Sequence, residues 1–174
     1  MKKDISLMYM RLGLNATATK LMIGIYEGER SSNPVLPSDR SCRMYVNGEI
    51  QPKNGFNEFL TKLDEAVSEY AQGLLSKHKA GDRIRLVSYG NSDELWDKLW
   101  ESDPDMYSVP VEFHNAVLNR IYLFGKAKGV DVFFVGADEP TSKMKTYHVS
   151  MPVAKLMKEF LGRRIDLAME FVKR

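Results

Sequence analysis

ISLMYMRLGL, Ile5 to Leu14, and TKLMIGIYE, Thr19 to Glu27, decide how this chain is read. Both are short apolar runs, and both read as β-strands. The link between them, Asn15-Ala16-Thr17-Ala18, is short and polar and suits a hairpin. Next comes GERSSNPVLPSDRS, residues 28–41, with two prolines and four serines; it reads as a long loop. CRMYVNGEI, Cys42 to Ile50, alternates and carries an Asn-Gly pair at 47–48, so it reads as a third strand. Three antiparallel strands are therefore expected at the start of the chain.

Beyond Ile50 the period changes. Phe56, Phe59, Leu60, Leu63, Val67, Tyr70, Ala71, Leu74 and Leu75 recur at three- and four-residue steps. That spacing predicts an amphipathic helix from near Asn57 to before Gly81, capped by Asn54 or Asn57. Ile84 to Tyr89 is a short continuous apolar run, the pattern of a central strand covered on both faces. It stops at Gly90-Asn91-Ser92, where Ser92 reads as the cap of a helix carrying Leu95, Trp96, Leu99 and Trp100. SDPDMYSVP, residues 102–110, reads as a loop. Val111 to Lys128 reads as a helix ended by Gly129. VDVFFVGA, Val130 to Ala137, is the most strand-like run of all, and a helix from Pro152 to Val172 closes the chain. The expected order is β-β-β-α-β-α-α-β-α: a single α/β domain over residues 1–174 with a mixed five-stranded sheet flanked by helices.

Composition is that of a globular chain, with 174 residues, 44% hydrophobic, 28% charged and a formal net charge of +2. The near-balance of charge neither demands nor forbids a nucleic-acid partner. The one cysteine, Cys42, excludes an internal disulfide and a cysteine-rich metal site. That fits a reducing, cytoplasmic setting. No apolar run is long enough to span a membrane, and MKKDISLMYMRLGL lacks the continuous apolar core of a signal peptide.

The expected element order resembles the ribonuclease H-like fold: a three-strand meander, a long helix, a fourth strand, helices, a fifth strand and a closing helix. The resemblance covers nearly the whole chain and implies a two-magnesium nuclease centre, because hard cations that clamp attacking and leaving oxygens need carboxylates. The ligand positions can be compared one by one. The first strand offers Arg11 rather than an acid. The long helix offers Glu58, which matches. The fourth strand ends in Gly90 or Asn91, and the closing helix offers Ala154 and Lys155. The resemblance thus implies a degenerate, non-catalytic member with no cofactor. The alternative is a magnesium-dependent nuclease acting on RNA or RNA–DNA hybrid, built from Glu58, Asp138 and Glu139.

Other residues carry weaker signals. His78, His114 and His148 have no metal-ligand spacing. Gly90-Asn91-Ser92 would present backbone N–H groups to an anion, but Asp93 and Glu94 behind it would repel one. Cys42 reads as a structural thiol. Arg11, Lys143, Lys145, Arg163 and Arg164 would serve a phosphate backbone if gathered on one face. Trp96 and Trp100, four residues apart on one helix, would anchor a protein partner if exposed. The expected function is an interaction module for a protein partner, or else for nucleic acid. A small-molecule binder at the carboxyl ends of the central strands is a further alternative.

Overall fold

The computed structural model describes residues 2–99, 109–140 and 142–172. The chain opens with three helices, not three strands: α1 (Lys2–Arg11), α2 (Ala16–Arg30) and α3 (Asp39–Val46). The long helix α4 (Phe56–Leu75) leads to β1 (Arg83–Ser88) and α5 (Ser92–Leu99). Then come α6 (Val111–Lys128), β2 (Asp131–Gly136), β3 (Lys145–Tyr147) and α7 (Val153–Val172). The only sheet among the described residues has three strands in the order β2-β1-β3, all parallel. The expected five-stranded mixed sheet is therefore corrected, and with it the meander on which the ribonuclease H-like element order depended.

Burial explains the correction. In and just after α1 the buried or half-buried apolar positions are Ile5, Met8, Tyr9 and Leu12, a helical i, i+3, i+4, i+7 stripe. In α2 they are Ala18, Met22, Ile23 and Tyr26, again at helical steps. Short runs with apolar residues on most positions satisfy strand and helix templates alike, and here tertiary packing selects the helix. Asn15 is not a hairpin residue but the N-cap of α2, accepting from the Ala18 N–H at 2.8 Å. Ser38 caps α3 in the same way through the Ser41 N–H. The long loop expected over 28–41 shrinks to residues 31–38, and the Asn-Gly pair follows a helix, not a strand.

Two caps also differ from expectation. The N-cap of α4 is Gly55, with φ of 78°, and neither Asn54 nor Asn57 caps it. Asn57 instead accepts a hydrogen bond from the Tyr9 hydroxyl at 2.8 Å, and the Asn54 carbonyl accepts one from Tyr26 at 2.6 Å. At α5 the capping oxygen belongs to Asn91, which accepts from the Glu94 N–H at 2.8 Å, while Glu94 accepts from the Gly90 N–H. Ser92, the expected cap, receives the Val111 N–H at 3.0 Å and so ties the start of α5 to the start of α6.

Helices α4 and α6 pack together beneath the sheet. Ile84 and Leu86 of β1 face them and are fully buried. A Cβ on Gly125 of α6 would lie 2.7 Å from Val132, so glycine is what allows α6 to approach β2 this closely. One polar cluster fastens the helical layer. Arg120 of α6, 8% exposed, donates to Asp64 of α4 at 2.7 Å, to the Ser68 hydroxyl at 2.7 Å and to the Arg11 carbonyl at 3.4 Å. Arg11 completes it with its own ion pair to Asp64 at 2.9 Å. No helix among the described residues is long and apolar enough to cross a membrane.

Breaking a buried pair strands a charge. Asp64→Ala is expected to lower the unfolding free energy by about 3 kcal/mol in urea titrations. Arg11→Ala, which removes a half-exposed partner, is expected to cost less than about 1 kcal/mol.

Candidate functional site

Parallel strands normally have both faces covered by crossover helices. Here only one face is. The β1-to-β2 crossover runs through α6 on the face of Ile84, Leu86 and Val132. The β2-to-β3 crossover must pass over β1 to reach the opposite edge, and it does so in residues 137–144, with no helix among those described. The step is feasible. Gly136 is level with Ser88, and Lys145 with Ile84. Four residues along and two strands across is about 16 Å, against a reach of about 26 Å for eight extended residues. A right-handed crossover in this direction has to use the face opposite α6. The hydrogen bond from Arg85 Nη1 to the Pro140 carbonyl at 3.2 Å places the strap there.

Between strap and sheet lies a chamber of about 540 Å³, within the usual range of small-molecule sites. Its floor is Arg85, Val87, Val135 and Thr146; its roof includes Glu139, Pro140, Ser142 and Lys143. His148, exposed at the end of β3, lines it as well. Arg85 is the chemical centre of the chamber. It sits mid-strand in β1, is 6% exposed, and has the Pro140 carbonyl as its hydrogen-bond partner. Among the described residues no carboxylate forms an ion pair with it. Lys143 adds a second cation to the wall, whereas Lys145, level with Ile84, carries its ammonium on the helix-covered face, 5.6 Å from the Tyr147 ring centroid. Two cations, Arg85 and Lys143, against one acid, Glu139, give the chamber a positive balance.

The other sequence-derived candidates disperse. Glu58 is exposed in the first turn of α4, Asp138 pairs with Lys98 at 3.0 Å, and Glu139 lines the chamber. No group of three His, Cys, Asp or Glu that would hold a metal ion exists among the described residues, so these three acids are not gathered into one. The basic candidates divide among separate places. Arg11 is bound to Asp64, and Arg164 donates to the Asn54 carbonyl at 3.0 Å and lies 5.7 Å from the Phe160 ring. Arg163 lines a groove between α4 and α7, and of these candidates only Lys143 brings its charge to the chamber. Trp96 is half-buried, with its indole N–H donating to the Val109 carbonyl at 2.8 Å. It forms one wall of an apolar groove with Leu21, Ile25 and Leu36. Trp100 lies outside the described residues. Cys42 is fully buried in α3, and burial raises its thiol pKa.

His78 and His114 are both structural. The His78 Nε2 meets the Tyr147 hydroxyl at 2.7 Å. His114 is fully buried near the start of α6, its ring 5.4 Å from Tyr89, and neither ring nitrogen has a well-formed hydrogen bond. Burial pushes its pKa down to about 4, partly offset by the Val87 backbone. The joint after β1 is therefore built as packing: Asn91 caps, Ser92 ties two helices, and a neutral imidazole fills the space behind Tyr89.

The residue that sequence reasoning passed over is Arg85. IRLVSY was read as a continuous apolar run, although a guanidinium stands in its second position. A charge inside a strand expected to be covered on both faces was the available signal.

Two outcomes follow. Between pH 6.5 and pH 4 the unfolded chain protonates His114 and the folded chain does not. Stability should therefore fall with acidification across that window, by up to about 3 kcal/mol, and be unaffected by this group above it. Urea titrations at about pH 7 and about pH 4.5 should show His114→Leu losing much of that slope. Arg85→Met should stabilise the ligand-free chain by about 1–3 kcal/mol, since it replaces an unpaired buried charge with an apolar chain of similar length; a destabilised variant would contradict this account of the chamber.

Comparison with protein-family models, with curated proteins and with solved structures finds no match to this chain.

Proposed function

We propose that this chain is a binding module whose ligand is a small anion-bearing molecule held between the three-stranded sheet and the 137–144 strap. The observation that carries this reading is Arg85. A guanidinium removed from water without a carboxylate is costly, and an incoming phosphate or carboxylate would supply the missing charge with bidentate hydrogen bonds. The surroundings support it. Lys143 adds charge, while Ser142 and Thr146 offer hydroxyls along the same wall. This reading develops the expectation of a small-molecule site at the central strands. It draws on Lys143 among the expected basic residues and leaves Trp96 as a packing residue bonded to Val109.

Binding to the folded state alone raises the melting temperature in a saturable way. Inorganic phosphate, sulfate and a simple phosphomonoester, titrated separately into the full chain, are expected to raise it. A phosphomonoester at about one hundred times its Kd should contribute about 2.7 kcal/mol. Arg85→Met should abolish the rise, and Lys143→Ala should weaken binding several-fold. A flat response to all three anions, with wild-type chain that melts cooperatively, would remove the proposal.

A further inference from the structure

A second feature lies on the same face of the sheet as Arg85. On the face that carries Arg85, the register sets Phe133 of β2 directly beside it. Phe133 is 40% exposed, a large aromatic left open to solvent on an edge strand. The Arg83 guanidinium lies 5.0 Å from the Phe133 ring centroid, and Asp131, its register partner, is exposed next to it. Neighbouring strands are about 4.8 Å apart. The ring and the buried guanidinium therefore stand side by side, one open to solvent and one inside the chamber.

Resting on the anion-binding reading above, we infer that the ligand is a nucleotide, with its phosphate in the chamber and its base on the Phe133–Arg83 platform. An exposed aromatic ring and a planar guanidinium together offer the stacking surface that a base uses. A phosphate bound at Arg85 leaves the rest of a nucleotide one strand spacing from that surface. Asp131 supplies a carboxylate beside the platform that accepts hydrogen bonds from ribose hydroxyls or an exocyclic amine. The strap roofs the phosphate side, where Arg85 holds the Pro140 carbonyl. The two halves of the site have separate signatures, since Arg85 and Lys143 recognise the phosphate, and Phe133 and Arg83 recognise the base.

Isothermal titration of the full chain with ribose 5-phosphate, adenosine 5′-monophosphate and a single-stranded oligonucleotide of about twelve residues tests this. The mononucleotide is expected to bind at least about tenfold tighter than the sugar phosphate, the increment a stacked base supplies. Phe133→Leu should bring the two to equal affinity without changing the sugar phosphate, and Arg83→Gln should narrow the gap. Arg85→Met should weaken both by at least about tenfold. Melting curves of each variant confirm that it is folded; Phe133 and Arg83 are exposed, so both variants are expected to fold. Equal affinities in the wild-type chain would overturn the nucleotide and leave the anion site standing. No binding by either phosphate would overturn both. Tighter binding of the oligonucleotide, with a salt dependence spanning several phosphates, would overturn the single nucleotide in favour of a strand.

Discussion

A central parallel strand has to be dry on both faces, and this chain covers the two faces of β1 with unequal material. One face receives α4 and α6, which pack Ile84 and Leu86 out of contact with water. The other receives an eight-residue strap where a second crossover helix would ordinarily lie. Much else depends on that inequality. The helical layer must be anchored from one side only, which the Arg120–Asp64–Arg11 cluster does by joining α1, α4 and α6. The strap side cannot fill its space with side chains, so a chamber persists over Arg85.

Legibility in the sequence tracked how many residues each pattern had to work with. Helix α4 spans 20 residues and α6 spans 18, and at that length a 3.6-residue period cannot be mistaken for alternation. Strands β1 and β2 were legible as brief apolar runs between clear stops. The first 46 residues are not, because α1 and α3 span only 10 and 8 residues, too few turns to separate a helical period from alternation, and α2 is apolar along most of its middle. Met, Leu and Lys in these runs favour helix by intrinsic preference, while Ile and Tyr among them favour strand. Strand β3 has three residues and only one strand neighbour, so no local pattern marks it; its existence is decided by β1.

The candidate site was legible in part, for a different reason. Lys143 and Lys145 are visible as a basic pair, but the sequence does not say that the strap containing Lys143 folds back over Arg85 while Lys145 enters β3. Crossover topology supplies that fact. The acids Glu58, Asp138 and Glu139 illustrate the reverse: suitable in kind, they stand in positions that the fold does not bring together. Residue type identifies what chemistry is available, and the path of the chain determines which of it meets.

The sheet also sets an order of assembly. β1 pairs with β2 across 48 residues of chain, Arg83 with Asp131, and with β3 across 61, Ile84 with Lys145. The contacts of α2 with α3, such as Lys20 to Asp39, form over shorter loops and cost less closure entropy. Docking of β3 is the most distant of these steps, and it is the step that brings the strap across β1. The chamber is accordingly completed only once β1 and β3 have paired, and it opens when they part. A bound ligand would then act mainly on the rate of unfolding, holding shut an element that the folding transition state has not yet formed.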